Sequence, residues 1–269
     1  MNADFTSLLD EFKWRGFFEQ CTDEVGLAAR LAAGPLTGYA GFDPTADSLH
    51  IGSLVPIMGL VHLQRWGHRP IAIVGGATAM VGDPSGKTEL RTMLTRDSVK
   101  TRMENGLSFI EFNYMILQAF DFMVLNRDHG CVLQLGGSDQ WGNICSGIDL
   151  CRRVNRNETF GLTFPLINNA SGAKMGKTAA GALWLAAERT SPYDFHQYWV
   201  NVDDRDVSRF LRLYTLLPRA EIERLERLQG ADIREAKRVL AREVTALLHG
   251  ADAAAEAERA AAALFGEGA

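Results

Sequence analysis

Apolar residues recur at helical spacing at the start of the chain, where Phe5, Leu8, Leu9 and Phe12 predict an amphipathic helix. Thr22 or Asp23 offers a cap for a second helix running to about Ala33. The pattern then changes to short, continuous apolar runs. Residues 36–42 read as a buried strand, and Ile71-Ala72-Ile73-Val74, rich in β-branched residues and closed by Gly75-Gly76, is a clearer one. Cys131-Val132-Leu133-Gln134-Leu135 before Gly136-Gly137 is a third, and Phe164-Pro165-Leu166-Ile167 a fourth. Helical stretches lie between them, notably over 49–66 and 109–125. Strands alternating with helices predict an α/β fold with a parallel sheet, whose ligands sit at the carboxyl ends of the strands, where the glycine turns fall here.

After about Ser191 the pattern is helical throughout. Ser191-Pro192 supplies a capping hydroxyl and a proline at the first helical position. Val207, Phe210, Leu211 and Tyr214 trace one helix face, and Ile233, Ala236, Leu240, Val244 and Leu247 another. The last twenty or so residues are alanine-rich and read as a linker. The domain division expected is therefore 1–189 and 190–269.

Composition narrows this only a little. The 269 residues are 46% hydrophobic and 23% charged, ordinary for a globular chain, and carry a net charge of −5. Such a balance gives no general affinity for a polyanion, so nucleic-acid binding would need a local patch. Cys21, Cys131, Cys145 and Cys151 show no metal-type pairing and read as reduced thiols of a cytoplasmic protein; no apolar run is long enough to span a bilayer.

Four clusters carry chemistry. A helix starting near Ser48 would aim free N–H groups at an anion, with His50 adding a donor and Gly52 letting a flat base approach. Lys174-Met175-Gly176-Lys177-Thr178 suits a loop closing over a pyrophosphate, since lysine is a flexible point charge. Either alone has a bland reading, a helix entry or a solvated turn. Val81-Gly82-Asp83-Pro84-Ser85-Gly86-Lys87-Thr88 imitates a Walker A loop, but its glycines enclose three residues where that loop needs four, which counts against a P-loop nucleotidase. Gly136-Gly137-Ser138-Asp139-Gln140-Trp141-Gly142-Asn143 follows a strand, and its acidic residue suits a ribose hydroxyl.

Together these blocks resemble the bacterial tyrosyl-tRNA synthetases, class I enzymes with HIGH and KMSKS signatures. The resemblance runs through 39–50, 74–78, 82–87, Glu111-Phe112-Asn113-Tyr114, 117–122, the 136–143 block and Thr190-Ser191-Pro192-Tyr193. It implies a Rossmann-like parallel-sheet catalytic domain followed by a small α-helical domain. It also implies formation of tyrosyl-adenylate and pyrophosphate from L-tyrosine and ATP with Mg²⁺, and transfer of tyrosine to tRNA(Tyr). On that resemblance Tyr39 and Asp121 meet the substrate phenol, Asp83, Tyr114 and Gln118 hold its ammonium, and Gln140 sits near its carboxylate. Gly41, Asp43, Gly52, Ser53, Gly137 and Asp139 line the nucleoside site. Thr45, His50, Lys87, Arg91, Lys174, Lys177 and Thr178 surround the triphosphate, with no protein-held metal.

The chain departs from the family pattern at three places. Ser53 stands where the HIGH-like motif ends in a longer polar residue. Between Lys87 and Tyr114 family members carry several dozen more residues that help form a homodimer interface and meet the tRNA acceptor end; here 91–108 joins the flanks almost directly, with a seam near Met93-Leu94-Thr95. The resemblance alone therefore does not carry the homodimer over, and apolar surface around 109–112 loses its usual cover. The chain also stops where many members continue into an RNA-binding domain. The alternative to a full ligase is a shortened module that binds tyrosine and ATP and activates, with little or no tRNA charging.

Overall fold

Residues 4–43, 47–75, 109–168, 170, 175, 177–178 and 181–265 are described by the structure, a computed structural model. A five-stranded sheet positions Tyr39. Strands β1 (Gln20–Cys21), β2 (Thr37–Phe42), β3 (Arg69–Val74), β4 (Cys131–Gly137) and β5 (Phe160–Phe164) lie in the order β1-β5-β4-β2-β3. All neighbours are parallel except β1, which runs antiparallel on β5. Five of five residues of β5 are buried, as expected for a strand covered on both faces.

Helices α1 (Leu8–Arg15), α2 (Glu24–Ala32), α3 (Leu54–Arg65), α4 (Phe109–His129) and α5 (Trp141–Val154) accompany these strands. Phe5, Leu8, Leu9 and Phe12 are all buried, as their spacing predicts. Asp23 caps α2 by accepting from the Gly26 N–H at 2.9 Å. Glu11 on α1 accepts from Trp66 Nε1 at 2.6 Å and lies 3.3 Å from His62 Nδ1, tying the apolar face of α1 to α3. Side chains of 109–113 lie outside the described residues; further along α4, Ile116, Leu117 and Phe120 are exposed.

Three expectations are corrected. The fourth strand occupies Phe160–Phe164, not 164–167: Pro165 has no N–H for the ladder and ends it. The alanine-rich tail is no linker up to Phe265 but helix α10 (Ala251–Phe265), with Ala254 and Ala257 buried, because alanine is the best helix former. Leu247 is exposed, although the rest of its predicted face packs inward.

The chain forms two compact units. The first comprises 1–13, 17–45 and 56–166, and the second 14–16, 46–55 and 167–269. The second holds a short antiparallel pair, β6 (Lys177–Thr178) and β7 (Gly181–Ala182), and the helices α6 (Pro192–Val200), α7 (Asp204–Tyr214), α8 (Arg219–Glu226), α9 (Ile233–His249) and α10. Ser191 caps α6 by accepting from Asp194 N–H, with proline following as predicted. Arg15, buried, donates to the carbonyl of Arg212 in the last turn of α7 and to those of Thr215 and Leu217 beyond it.

His196 on α6 is 2% exposed, and neither ring nitrogen has a partner among the described residues. Burial holds it below its ordinary value of 6.5, opposed by Glu258 on α10. The folded state therefore keeps His196 neutral while the unfolded chain gains a proton below about 6.5. Stability is full above that pH and falls as the pH drops, by at most about 1.4 kcal/mol per pH unit for this residue. Urea unfolding of wild type and His196→Phe at pH 7.5 and 5.5 checks this: the acid shift in midpoint should be smaller in the variant.

Candidate active site

In the first unit, Tyr39 stands in the middle of β2, 3% exposed, with its ring 5.3 Å from that of Phe122. Its hydroxyl is buried and has no hydrogen-bond partner among the described residues. Burial, then the neighbouring Cys131 and Asp121, hold the phenol well above its usual range, so it stays protonated. A buried hydroxyl without a partner costs about 1–3 kcal/mol unless something supplies one. On α4, Tyr114, Gln118 and Asp121 fall at i, i+4 and i+7 and so share one helix face. Asp121 and Tyr114 both lie near enough to Tyr39 to raise its pKa. Partial burial lifts the Asp121 carboxyl above its ordinary 3.8.

At the carboxyl end of β4 the chain turns through a short 3-10 segment, Ser138–Gln140, into α5. Buried Asn143 donates 3.0 Å bonds to both Gln118 Oε1 and Gln140 Oε1, and Gln140 Nε2 reaches Asp139 at 3.2 Å. One amide thus fixes two candidate substrate-binding glutamines. A carbonyl oxygen has two lone pairs and can accept more than one hydrogen bond. Sequence reasoning assigned Asn143 no role; its place one turn after Gln140 was the available signal. Gly137 makes room for Asp139, whose carboxylate oxygen would lie 2.4 Å from an added Cβ. Gly41, at the end of β2, faces open space, and Asp43 is exposed beside it.

Cys131 and Cys151 belong to the packing around Tyr39. Burial pushes the Cys131 thiol to about 12 and the Cys151 thiol to about 11. Cys21 and Cys145 are only partly buried. Since the thiolate is the reactive form, titration with a chromogenic disulfide at pH 8 should count two accessible thiols in the native protein and four after unfolding.

The second unit holds His50. It caps a 3-10 turn, Ile51–Ser53, and α3 begins only at Leu54. This corrects the expected helix start near Ser48. The Ile51 N–H donates to Leu183 O at 2.9 Å, Gly52 N–H to His50 Nδ1 at 3.0 Å, Ser53 N–H to His50 O at 2.8 Å, and Leu54 N–H to Ile51 O. The amides expected to cradle an anion are therefore spoken for. The side chain remains: with Nδ1 accepting, the proton sits on Nε2, which can donate outward. Gly52 also has a structural reason, since a Cβ there would meet the His50 ring at 2.6 Å. Ser53 is half-buried.

Lys177 and Thr178 start the β6–β7 pair, Lys177 opposite Ala182 and Thr178 opposite Gly181. Thr45, Asp83, Lys87, Arg91 and Lys174 lie outside the described residues, as do the Walker-like cluster and the seam. Among the described residues no helix is long and apolar enough to cross a membrane.

The profile described as tRNA synthetases class I (W and Y) matches residues 31–96 and 86–266, and the chain belongs to that family. Within it, the chain is 50% identical over 320 residues to the tyrosine–tRNA ligase of Desulfosudis oleivorans, covering 97% of this chain and 74% of that one. It is 44% identical to the tyrosine–tRNA ligase of Clostridium botulinum, covering 97% and 78%. Among solved structures, a C-terminally truncated mitochondrial tyrosyl-tRNA synthetase of Coccidioides posadasii superposes with a TM-score of 0.84 at 29% identity, covering 95% of this chain and 92% of that one. The 320-residue alignment with the first relative exceeds the 269 residues of the chain, so the relative has residues without a counterpart here. The profile match itself breaks between 86 and 96.

Proposed function

We propose that the chain is a tyrosine–tRNA ligase: it activates L-tyrosine with ATP, releasing pyrophosphate, and transfers tyrosine to tRNA(Tyr). The observation that carries the tyrosine side is the Tyr39 hydroxyl, buried without a partner beside Asp121. A substrate phenol satisfies both groups, accepting from one and donating to the other. Tyr114, Gln118 and Asp83 hold the ammonium and Gln140 the carboxylate end, with Asn143 keeping the two glutamines in place. Gly41, Asp43, Gly52, Ser53, Gly137 and Asp139 serve the nucleoside, and Thr45, His50, Lys87, Arg91, Lys174, Lys177 and Thr178 the phosphates.

The nucleophile, a carboxylate, is already an anion and needs no general base. Rate comes from holding it in line with the α-phosphate and from stabilising the charge that leaves with pyrophosphate. His50 Nε2 donates to that charge and the lysines neutralise it. Among the described residues no cluster of acidic, histidine or cysteine side chains is placed to hold a metal, so Mg²⁺ would come carried by the substrate phosphates, as this ion usually is. When bound, it adds further charge neutralisation there. The reading places the protein in the cytoplasm.

The relatives are ligases, so the shortened connection is read as a ligase variant and not as a binding module. Charging of tRNA(Tyr) with labelled tyrosine tests this: aminoacylation dependent on ATP is the expected result, and activation without any charging would favour the module.

A further inference from the structure

We infer that Ser48, with Trp184 and Arg189, braces His50 against the hairpin that carries Lys177, and that Ser48 and Arg189 are positioning residues for the activation step. The inference rests on the ligase reading above.

The backbone makes the case first. The β6–β7 pair ends at Ala182, and the next three residues pair at once with the His50 segment. Ile51 N–H donates to Leu183 O at 2.9 Å, His50 and Trp184 form an antiparallel bridge, and Leu185 N–H donates to Leu49 O at 2.8 Å. The His50 segment and the hairpin that carries Lys177 and Thr178, far apart in sequence, are thus neighbours along the pairing inside the second unit.

Side chains lock this pairing at its far end. Ser48 Oγ donates to Leu49 O at 2.8 Å and accepts from Ala186 N–H at 3.0 Å, so a single hydroxyl spans both segments. The turn after it folds back: Arg189 and Thr190 N–H both donate to Ala186 O, and Thr190 Oγ1 accepts from Trp184 N–H at 3.1 Å. The Arg189 guanidinium then lies 3.8 Å from the centroid of the Trp184 ring. Trp184 is held on its backbone by His50 and Thr190, and on its ring by Arg189.

The reason such a brace matters lies in the chemistry of His50. Its Nδ1 is held by Gly52, so the place of Nε2 relative to the Lys177 hairpin depends on how the whole segment is held. The charge on departing pyrophosphate is stabilised only if the donors stand where it develops, and an ångström of misplacement can cost up to about 10²-fold. Losing one neutral hydrogen bond or one exposed cation–π contact loosens, and does not break, the pairing.

The test compares Ser48→Ala, Ser48→Thr and Arg189→Ala with wild type in tyrosine-dependent ATP–pyrophosphate exchange, tyrosine affinity at equilibrium and thermal midpoint. For Ser48→Ala we expect kcat to fall about tenfold with KM for ATP nearly unchanged, and Ser48→Thr, which keeps the hydroxyl, to recover most of the loss. For Arg189→Ala, an exposed position that leaves folding intact, we expect about a threefold fall in the same parameter. Tyrosine affinity should match wild type in all three. An unchanged kcat in Ser48→Ala overturns the inference. So does a loss shared equally by tyrosine affinity and thermal midpoint, which is what a merely structural hydroxyl would give. Absence of exchange in wild type overturns the activity reading itself, and the inference falls with it.

Discussion

Asp121→Asn is expected to lower kcat/KM for tyrosine activation by about 10²-fold while leaving that for phenylalanine and the KM for ATP nearly unchanged. Asp121 and the Tyr39 hydroxyl together present one acceptor and one donor beside a buried ring packing of Phe122. A phenol fills both; a phenyl ring leaves Tyr39 as unpartnered as it stands without ligand. A hydrogen bond to a charged group is worth about 1.5–3 kcal/mol, which is roughly 10- to 10²-fold. Sites built to bond a substrate hydroxyl reject the analogue lacking it by about 10⁴–10⁵, a figure taken from tyrosyl-tRNA synthetases themselves and so a known property of this family. Steady-state exchange with each amino acid measures the ratio. Unchanged rejection of phenylalanine in the variant would remove Asp121 from the specificity pocket.

His50→Ala is expected to lower the exchange kcat by about 10²–10³-fold, the usual loss when one donor to a developing charge is removed. The backbone makes this expectation sharp. Because the amides of Ile51, Gly52, Ser53 and Leu54 are all bonded within the chain, none of them substitutes for the missing imidazole. The cap itself needs a control, since His50 Nδ1 also holds the Gly52 N–H. His50→Asn keeps a capping acceptor while shortening the donor's reach. It should lose activity nearly as much as His50→Ala, with tyrosine affinity unchanged in both. Near-full activity of His50→Asn would show that the cap, and not the donor, is what His50 provides.

Much of the sheet was legible because its strands leave strong local marks. Ile71–Val74 is β-branched and ends in glycine, and β3 ends at Val74. Ser191-Pro192 carries both the cap and the fixed φ of a helix start, and α6 begins at Pro192. The misses have physical causes too. In β5 every residue is buried, so no alternation marks its register, and the expectation slid past Pro165. The tail lacks large apolar residues, yet alanine propensity and two buried alanines make it a helix. Around His50 the pattern showed the residues of a phosphate site and not the pairing with 183–185, which comes from a segment distant in sequence.

The candidate site divides in the same way. Tyr39, Tyr114, Gln118 and Asp121 came from the family resemblance, while Asp139 and Gln140 could be picked out from the glycine turn after a strand. Asn143, which fixes Gln118 and Gln140, could not, because its role depends on α4 and α5 lying side by side. Gly52 was singled out as a ligand-facing glycine, and a second reason for it needed the structure, since its missing Cβ admits the His50 ring.

The central claim is that this chain activates tyrosine, and exchange of labelled pyrophosphate into ATP measures it most directly. The expected result is exchange that depends on L-tyrosine, is not supported by phenylalanine, and is nearly abolished in His50→Ala. Exchange absent under tyrosine saturation, or equally strong with phenylalanine, would contradict the account.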